Sequence, residues 1–248
     1  MSGQISQPIF LISMQRSGTN FFRRILGSHP DINPLFGEVF DPQNLDNPLS
    51  FFQFKKSIVA EDPQFVLPDK QIEVFQKYLA FLGENCAEKI FVVDIKYNSF
   101  FHLNSYWPSG PSPLLSFLEQ KEYPVIHLIR KDLLAAAYSQ TVASSTGVYY
   151  LLKNQENIAI PPSKVDCKDM VQRMRNRRKQ IQGKSSALKE INALEVHYED
   201  ILNSNQEIDE ALLLQLSTYL GLSAEDFEKE HPTKKIVDQP LEKLIINF

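Results

Sequence analysis

With 248 residues, 43% of them hydrophobic and 23% charged, the chain has the size and composition of one sizeable globular domain, and residues 1–248 are expected to form a single unit. A formal net charge of −4 excludes the basic profile of a general nucleic-acid binder. Cys86 and Cys167 lie far apart in no CxxC pattern, and the sequence shows neither a leader-like start nor a run of about 18 apolar residues, so the expectation is a cytoplasmic protein without a disulfide framework, structural zinc or a transmembrane segment.

The first predicted element is a strand. Ile9-Phe10-Leu11-Ile12 is an apolar run with no polar face, as in strands buried on both faces of a parallel sheet. A turn follows, Ser13-Met14-Gln15-Arg16-Ser17-Gly18-Thr19-Asn20, and Phe21, Phe22, Ile25 and Leu26 then fall on one face of a helix. Such a strand, loop and helix leave free backbone N–H groups at the positive end of the helix dipole, a site suited to phosphate. Arg16 adds a full charge, and the hydroxyls of Ser17 and Thr19 can donate to phosphate oxygens. Ordinary helix capping stands beside this reading, because Ser, Gly, Thr and Asn favour such turns. Aligned on Gly18, the Walker pattern would want Lys at Thr19, Ser or Thr at Asn20, and its first glycine at Ser13. None is present, which speaks against a P-loop nucleotide kinase.

Gln15-Arg16-Ser17-Gly18-Thr19-Asn20-Phe21-Phe22 resembles the 5′-phosphosulfate loop of sulfotransferases that use 3′-phosphoadenylyl sulfate (PAPS), with Arg16 at the basic position before Ser-Gly-Thr. Within that superfamily it is most similar to the bacterial carbohydrate and lipooligosaccharide branch, the trehalose- and nodulation-type enzymes, which share an Arg-Ser-Gly loop and a Gly-Glu-x-Phe-like segment. That segment is Leu35-Phe36-Gly37-Glu38-Val39-Phe40 here, strand-like and carrying one carboxylate. Read on its own, Glu38 is either a general base or an ordinary surface carboxylate. The resemblance makes it the proposed base.

Residues 41–70, with four prolines, read as an irregular excursion with a short helix near Leu49–Lys56. Phe51, Phe52 and Phe54 would line a pocket or fill core. A helix is predicted over Gln71–Asn85 and a buried strand over Ile90–Ile95, ending in Lys96, which either reaches the reacting oxygens or snorkels to the surface. His102 is the reserve candidate for the base. After the loop at 107–113, a helix over Leu114–Gln120 leads to a third strand at Tyr123–Ile129. Arg130 closes that strand and Ser139 follows on a helix opening at Leu133. In the superfamily, an Arg and a Ser so placed grip the nucleotide 3′-phosphate; the spacing here is longer than in the animal enzymes and similar to the bacterial branch.

Residues 141–165 read as a lid or acceptor flap. The helix at about Lys168–Lys189 carries eight basic residues and is read as a solvated surface, with an anionic acceptor or partner face as the alternative. Leu194–Tyr198 is the fourth strand. Tyr198-Glu199-Asp200-Ile201 resembles the Tyr-Glu-Asp-Leu segment of many sulfotransferases, with Asp200 expected to cap the next helix, Ile208–Leu220. Near the tail, Lys234 or Lys235 loosely matches residues that meet the 3′-phosphate.

Four buried strands alternating with helices predict an α/β fold: three αβα layers, a mainly parallel sheet, and a P-loop-like phosphosulfate-binding loop at the carboxyl edge of the sheet. The resemblance implies sulfuryl transfer from PAPS, leaving 3′,5′-diphosphoadenosine (PAP), to a hydroxyl of a small molecule, glycan or glycolipid, with no metal. The alternatives are a P-loop kinase and a non-catalytic module that binds PAPS or PAP.

Overall fold

In a computed structural model, which describes residues 7–35, 38–86, 89–103, 112–148, 151–152, 160, 162, 164–230, 233–234 and 240–247, the chain runs β1 (Pro8–Ser13), α1 (Thr19–Leu26), β2 (Ile32–Asn33), α2 (Phe51–Glu61), α3 (Gln71–Asn85), β3 (Ile90–Lys96), α4 (Pro113–Gln120), β4 (Val125–Ile129), α5 (Leu133–Thr146), β5 (Leu151–Leu152), α6 (Cys167–Glu190), β6 (Leu194–His197), α7 (Glu210–Leu220), β7 (Thr233–Lys234) and α8 (Leu241–Leu244). Five strands form one sheet in the order β2-β3-β1-β4-β6, every neighbouring pair parallel. β1 lies at its centre, and all six of its residues are buried. A strand with a parallel neighbour on each side and helices over both faces has no solvated face, hence the unbroken apolar run.

Alternation of side chains along β1 divides the core. Phe10 and Ile12 join Phe75 and Tyr78 of α3 and Phe117 of α4 on one face. Ile9 and Leu11 pack with Phe22 and Ile25 of α1 and with Leu212, Leu213 and Leu216 of α7 on the other. Burying a side chain of this kind contributes roughly 1.5–3 kcal/mol, so both helical layers are anchored through one strand. The outcome is the three-layer α/β architecture. A smaller cluster joins Tyr138 and Val142 of α5 to Met170 of α6 and Leu244 of α8. Among the described residues, no helix is long and apolar enough to cross a membrane.

Several expectations need correction. Of the segment expected to be strand-like at Leu35–Phe40, Phe36 and Gly37 lie outside the described residues, and Leu35 and Glu38–Phe40 belong to no strand; β2 pairs with β3 through Ile32 and Asn33. Leu35 has a positive φ of 45°, its N–H donates to Asn33 Oδ1, and its carbonyl accepts from Arg23 Nη1. Side chains thus take the groups a ladder would need. Val39 and Phe40 are buried all the same, Phe40 stacked on Phe51 at 4.6 Å, and Phe51 is core while Phe52 and Phe54 pack against it.

The helix beginning at Leu133 extends to Thr146, where Gly147 at φ 71° ends it. Much of the expected lid, residues 149–150, 153–159, 161 and 163, lies outside the described residues. Asp200 does not cap the following helix. It sits in a 3-10 turn and accepts from Lys131 Nζ at 3.1 Å, while Asp209 caps α7 by accepting from Ala211 N and Leu212 N.

Candidate functional site

The loop between β1 and α1 is shaped by two left-handed residues, Arg16 at φ 65° and Gly18 at φ 85°. Gly18 is required twice over: L side chains disfavour that conformation, and a Cβ there would collide with the Tyr198 ring. Ser17 and Thr19 are buried, and Gln15, Arg16 and Asn20 are partly so. The first-turn N–H groups of α1 have no carbonyl of a preceding turn to bond. The loop therefore presents donors at the carboxyl end of the central strand.

Because β4 lies beside β1, with Phe10 opposite Val125 and Ser13 opposite Leu128, Arg130 emerges next to the loop. Its Nη1 donates to the Arg16 carbonyl at 3.3 Å, and its guanidinium lies over the Tyr198 ring, 4.9 Å from the centroid. Asp132 caps α5 by accepting from Ala135 N at 2.8 Å, which sets the helix so that Ser139 turns back to the loop. Arg16 donates to Ser139 Oγ through Nε at 3.2 Å and Nη2 at 2.9 Å. The two anion-seeking turns picked out in the sequence are thus one cluster. Among the described residues, Ser13 Oγ and Arg130 Nε are buried without a hydrogen-bond partner, as expected where a ligand completes the set. Tyr198 braces both turns, and Glu199 accepts from Lys131 N and Asp132 N.

On the other side of the loop lies a buried ionic group. Lys96 is 4% exposed, so it does not snorkel. Its ammonium donates to both Asp94 oxygens at 2.9 and 2.7 Å and to Thr19 Oγ1 at 2.6 Å. Those three bonds use its three protons. The Thr19 hydroxyl accepts the Lys96 bond through one of its two lone pairs, and its O–H remains a donor. Arg23 Nε approaches Asp94 at 3.9 Å and Arg23 Nη2 donates to Asn20 Oδ1 at 2.5 Å.

Glu38 Oε1 stands 3.8 Å from Lys96 Nζ, its side chain 41% exposed. Burial of the carboxyl raises its pKa above the ordinary value, and Lys96 draws it partly back. His102 is placed elsewhere, its ring against Phe52 and Phe101, and burial together with Lys55 lowers its pKa.

Sequence reasoning missed Arg177. Most of α6 is solvated, as expected, but Arg177 turns inward and donates to the Gln15 carbonyl at 3.0 Å. Burial, with Arg130, Arg16 and Arg173 nearby, lowers its pKa to about 10. The helix pitch singles it out among the basic residues once α6 is known to cross the loop. At the tail, Lys234 is placed by its backbone, opposite Leu151 in the β5–β7 pair, and Lys235 lies outside the described residues.

Residues 8–91 match a protein-family model described as the sulfotransferase family, a stretch that includes the loop and Glu38. No curated protein matches the chain. A solved structure, the sulfotransferase domain from the Synechococcus PCC 7002 olefin synthase, is similar over 90% of this chain and 76% of its own, with 16% sequence identity and a TM-score of 0.45.

Proposed function

We propose that the chain is a sulfotransferase that moves a sulfuryl group from PAPS to a hydroxyl of a carbohydrate or glycolipid. The observation that carries this reading is the meeting of Arg16, Arg130 and Ser139 at one loop, beside two buried polar atoms awaiting a partner. A nucleotide phosphorylated at both 3′ and 5′ positions fits two cationic grips supported by backbone N–H groups. The family match over residues 8–91 supports the same reading.

PAPS supplies a sulfuryl group whose transfer leaves charge on a phosphate oxygen. The loop N–H groups, Arg16 and the Thr19 hydroxyl hold the 5′ end and stabilise that growing charge. Arg130 and Ser139 hold the 3′-phosphate, which sets the register of the donor. Glu38 takes the proton of the attacking hydroxyl, a role typically worth about 10²–10⁴-fold. Its half-exposed carboxylate combines access to an acceptor with an affinity for protons raised by burial. Lys96 positions rather than reacts, tying β3 to the start of α1 and holding Glu38 by charge.

A kinase reading is less well supported. Both oxygens of Asp94, the carboxylate on the strand next to β1, accept from Lys96 with Arg23 close by, so it is not presented as a magnesium ligand.

Calorimetry with PAP and with 5′-AMP, followed by PAPS turnover on a panel of hydroxylated acceptors, tests the assignment. Tighter binding of PAP than of 5′-AMP, and sulfated product, are expected. No detectable binding of PAP would reject the reading.

A further inference from the structure

Beside the loop, an open cleft of ≈ 170 Å³ runs between α5 and α6, with Met14 and Gln15 of the loop at one wall. Arg173 and Arg177 from α6 line it, together with the carboxamides of Gln140, Asn176 and Gln180. Arg173 and Arg177 are four residues apart, as are Asn176 and Gln180, so each pair stacks along the same side of the helix. On α5, Gln140 follows Ser139 and projects about 100° around the axis from it. The cleft therefore adjoins the Arg16–Ser139 contact without including it.

Its lining has a definite chemistry. Carboxamides both donate and accept, which suits hydroxyl groups. The two guanidiniums suit a carboxylate, phosphate or sulfate. Asp169 faces Arg173, whose Nε lies 2.6 Å from its carboxylate, and Arg177 reaches the Gln15 carbonyl. Among the described residues the lining holds no carboxylate, and Asp169 pairs with Arg173 alone, so Arg177 brings a positive charge that the cleft does not balance. A neutral ligand would leave that charge unbalanced.

We propose that this cleft is the acceptor subsite and that the acceptor is a sugar bearing an anionic group, its hydroxyls met by Gln140, Asn176 and Gln180 and its anion by Arg173 and Arg177. This rests on the reading of the chain as a PAPS-dependent transferase and adds the acceptor's charge to it.

The test is binding of glucuronate, glucose 6-phosphate and glucose to the full chain saturated with PAP, followed by calorimetry or ligand-observed NMR. Both acidic sugars are expected to bind at least about tenfold more tightly than glucose. Arg173→Gln, a change on a half-exposed side chain, is expected to remove about tenfold of the acidic sugars' affinity and to leave PAP affinity unchanged. Equal binding of the three sugars or an unchanged affinity in the variant would overturn the proposal. The two readings fail separately: absent PAP binding counts against the transferase, and absent acid preference with PAP bound counts against the cleft alone.

Discussion

Arg16 and Ser139, 123 positions apart, meet through two hydrogen bonds at 2.9 and 3.2 Å. A serine hydroxyl accepting from a guanidinium holds that cation in place and keeps its own proton to donate, in the proposed site to an anion. The contact makes the two proposed phosphate grips interdependent. Arg130→Ala is expected to weaken PAP binding about 10–100-fold, the loss of charge-assisted hydrogen bonds, and to weaken 5′-AMP binding far less. Calorimetry on both ligands measures the difference, and equal losses would remove Arg130 from the 3′-phosphate.

Gly18→Ala provides a second check on the loop. The substituted residue would hold a left-handed φ at roughly 1–2 kcal/mol while its methyl displaces the Tyr198 ring. Since that ring carries the Arg130 guanidinium, donor affinity should fall together with stability. Thermal melts with and without PAP separate the two: the expected result is a lower melting temperature and a smaller upward shift with ligand than in the parent chain. A full ligand shift would show that the loop tolerates the ring's displacement.

How far the sequence disclosed this site depends on which distances are local. β1, the loop and α1 are contiguous, and an apolar run followed by a glycine-containing turn is their direct imprint. The encounter of Arg16 with Arg130 is not local; it comes from β4 lying beside β1 in the sheet, and the resemblance supplied it before any spacing could. Leu35–Phe40 misled because a buried apolar segment has the same composition whether it pairs as a strand or, as here, packs Phe40 on Phe51. Asp200 misled because helix capping and pairing with Lys131 draw on the same carboxylate. Arg177 was hidden among eight basic residues until the path of α6 over the loop distinguished one face from the rest.

A buried histidine offers a test of the fold independent of ligand. His127, on β4, is 1% exposed, its Nε2 paired with the Tyr97 hydroxyl and its Nδ1 3.7 Å from Glu195. Burial lowers its pKa to about 4, with Glu195 opposing. The unfolded chain binds this proton below about pH 6.5, whereas the folded chain resists until about 4. Stability attributable to His127 is thus complete above pH 6.5 and is lost as pH falls toward 4, at most on the order of 3 kcal/mol. Urea denaturation between pH 7 and 4.5 should show the decline, and His127→Gln should flatten it. An equally steep decline in the variant would place the acid sensitivity in other groups.

The proposed base can be tested through its two charged neighbours. Glu38 must be ionised to accept a proton, so turnover should rise with pH along a limb set by its pKa, which burial places above the usual carboxylate value. Lys96 lowers that pKa and Asp94 raises it, Lys96 having the larger effect. Lys96→Met should therefore move the limb to higher pH. It should also destabilise the chain, by about 3–5 kcal/mol, because Asp94 is left buried with a weaker partner. The double variant Asp94→Asn, Lys96→Met removes both charges, and its limb should fall between those of the parent and Lys96→Met, with much of the stability restored. Glu38→Gln should lower turnover about 10²–10⁴-fold with PAP affinity unchanged. A pH profile of turnover across the four proteins decides the matter. Either a limb that ignores Lys96 or an active Glu38→Gln variant would assign the proton to a different group.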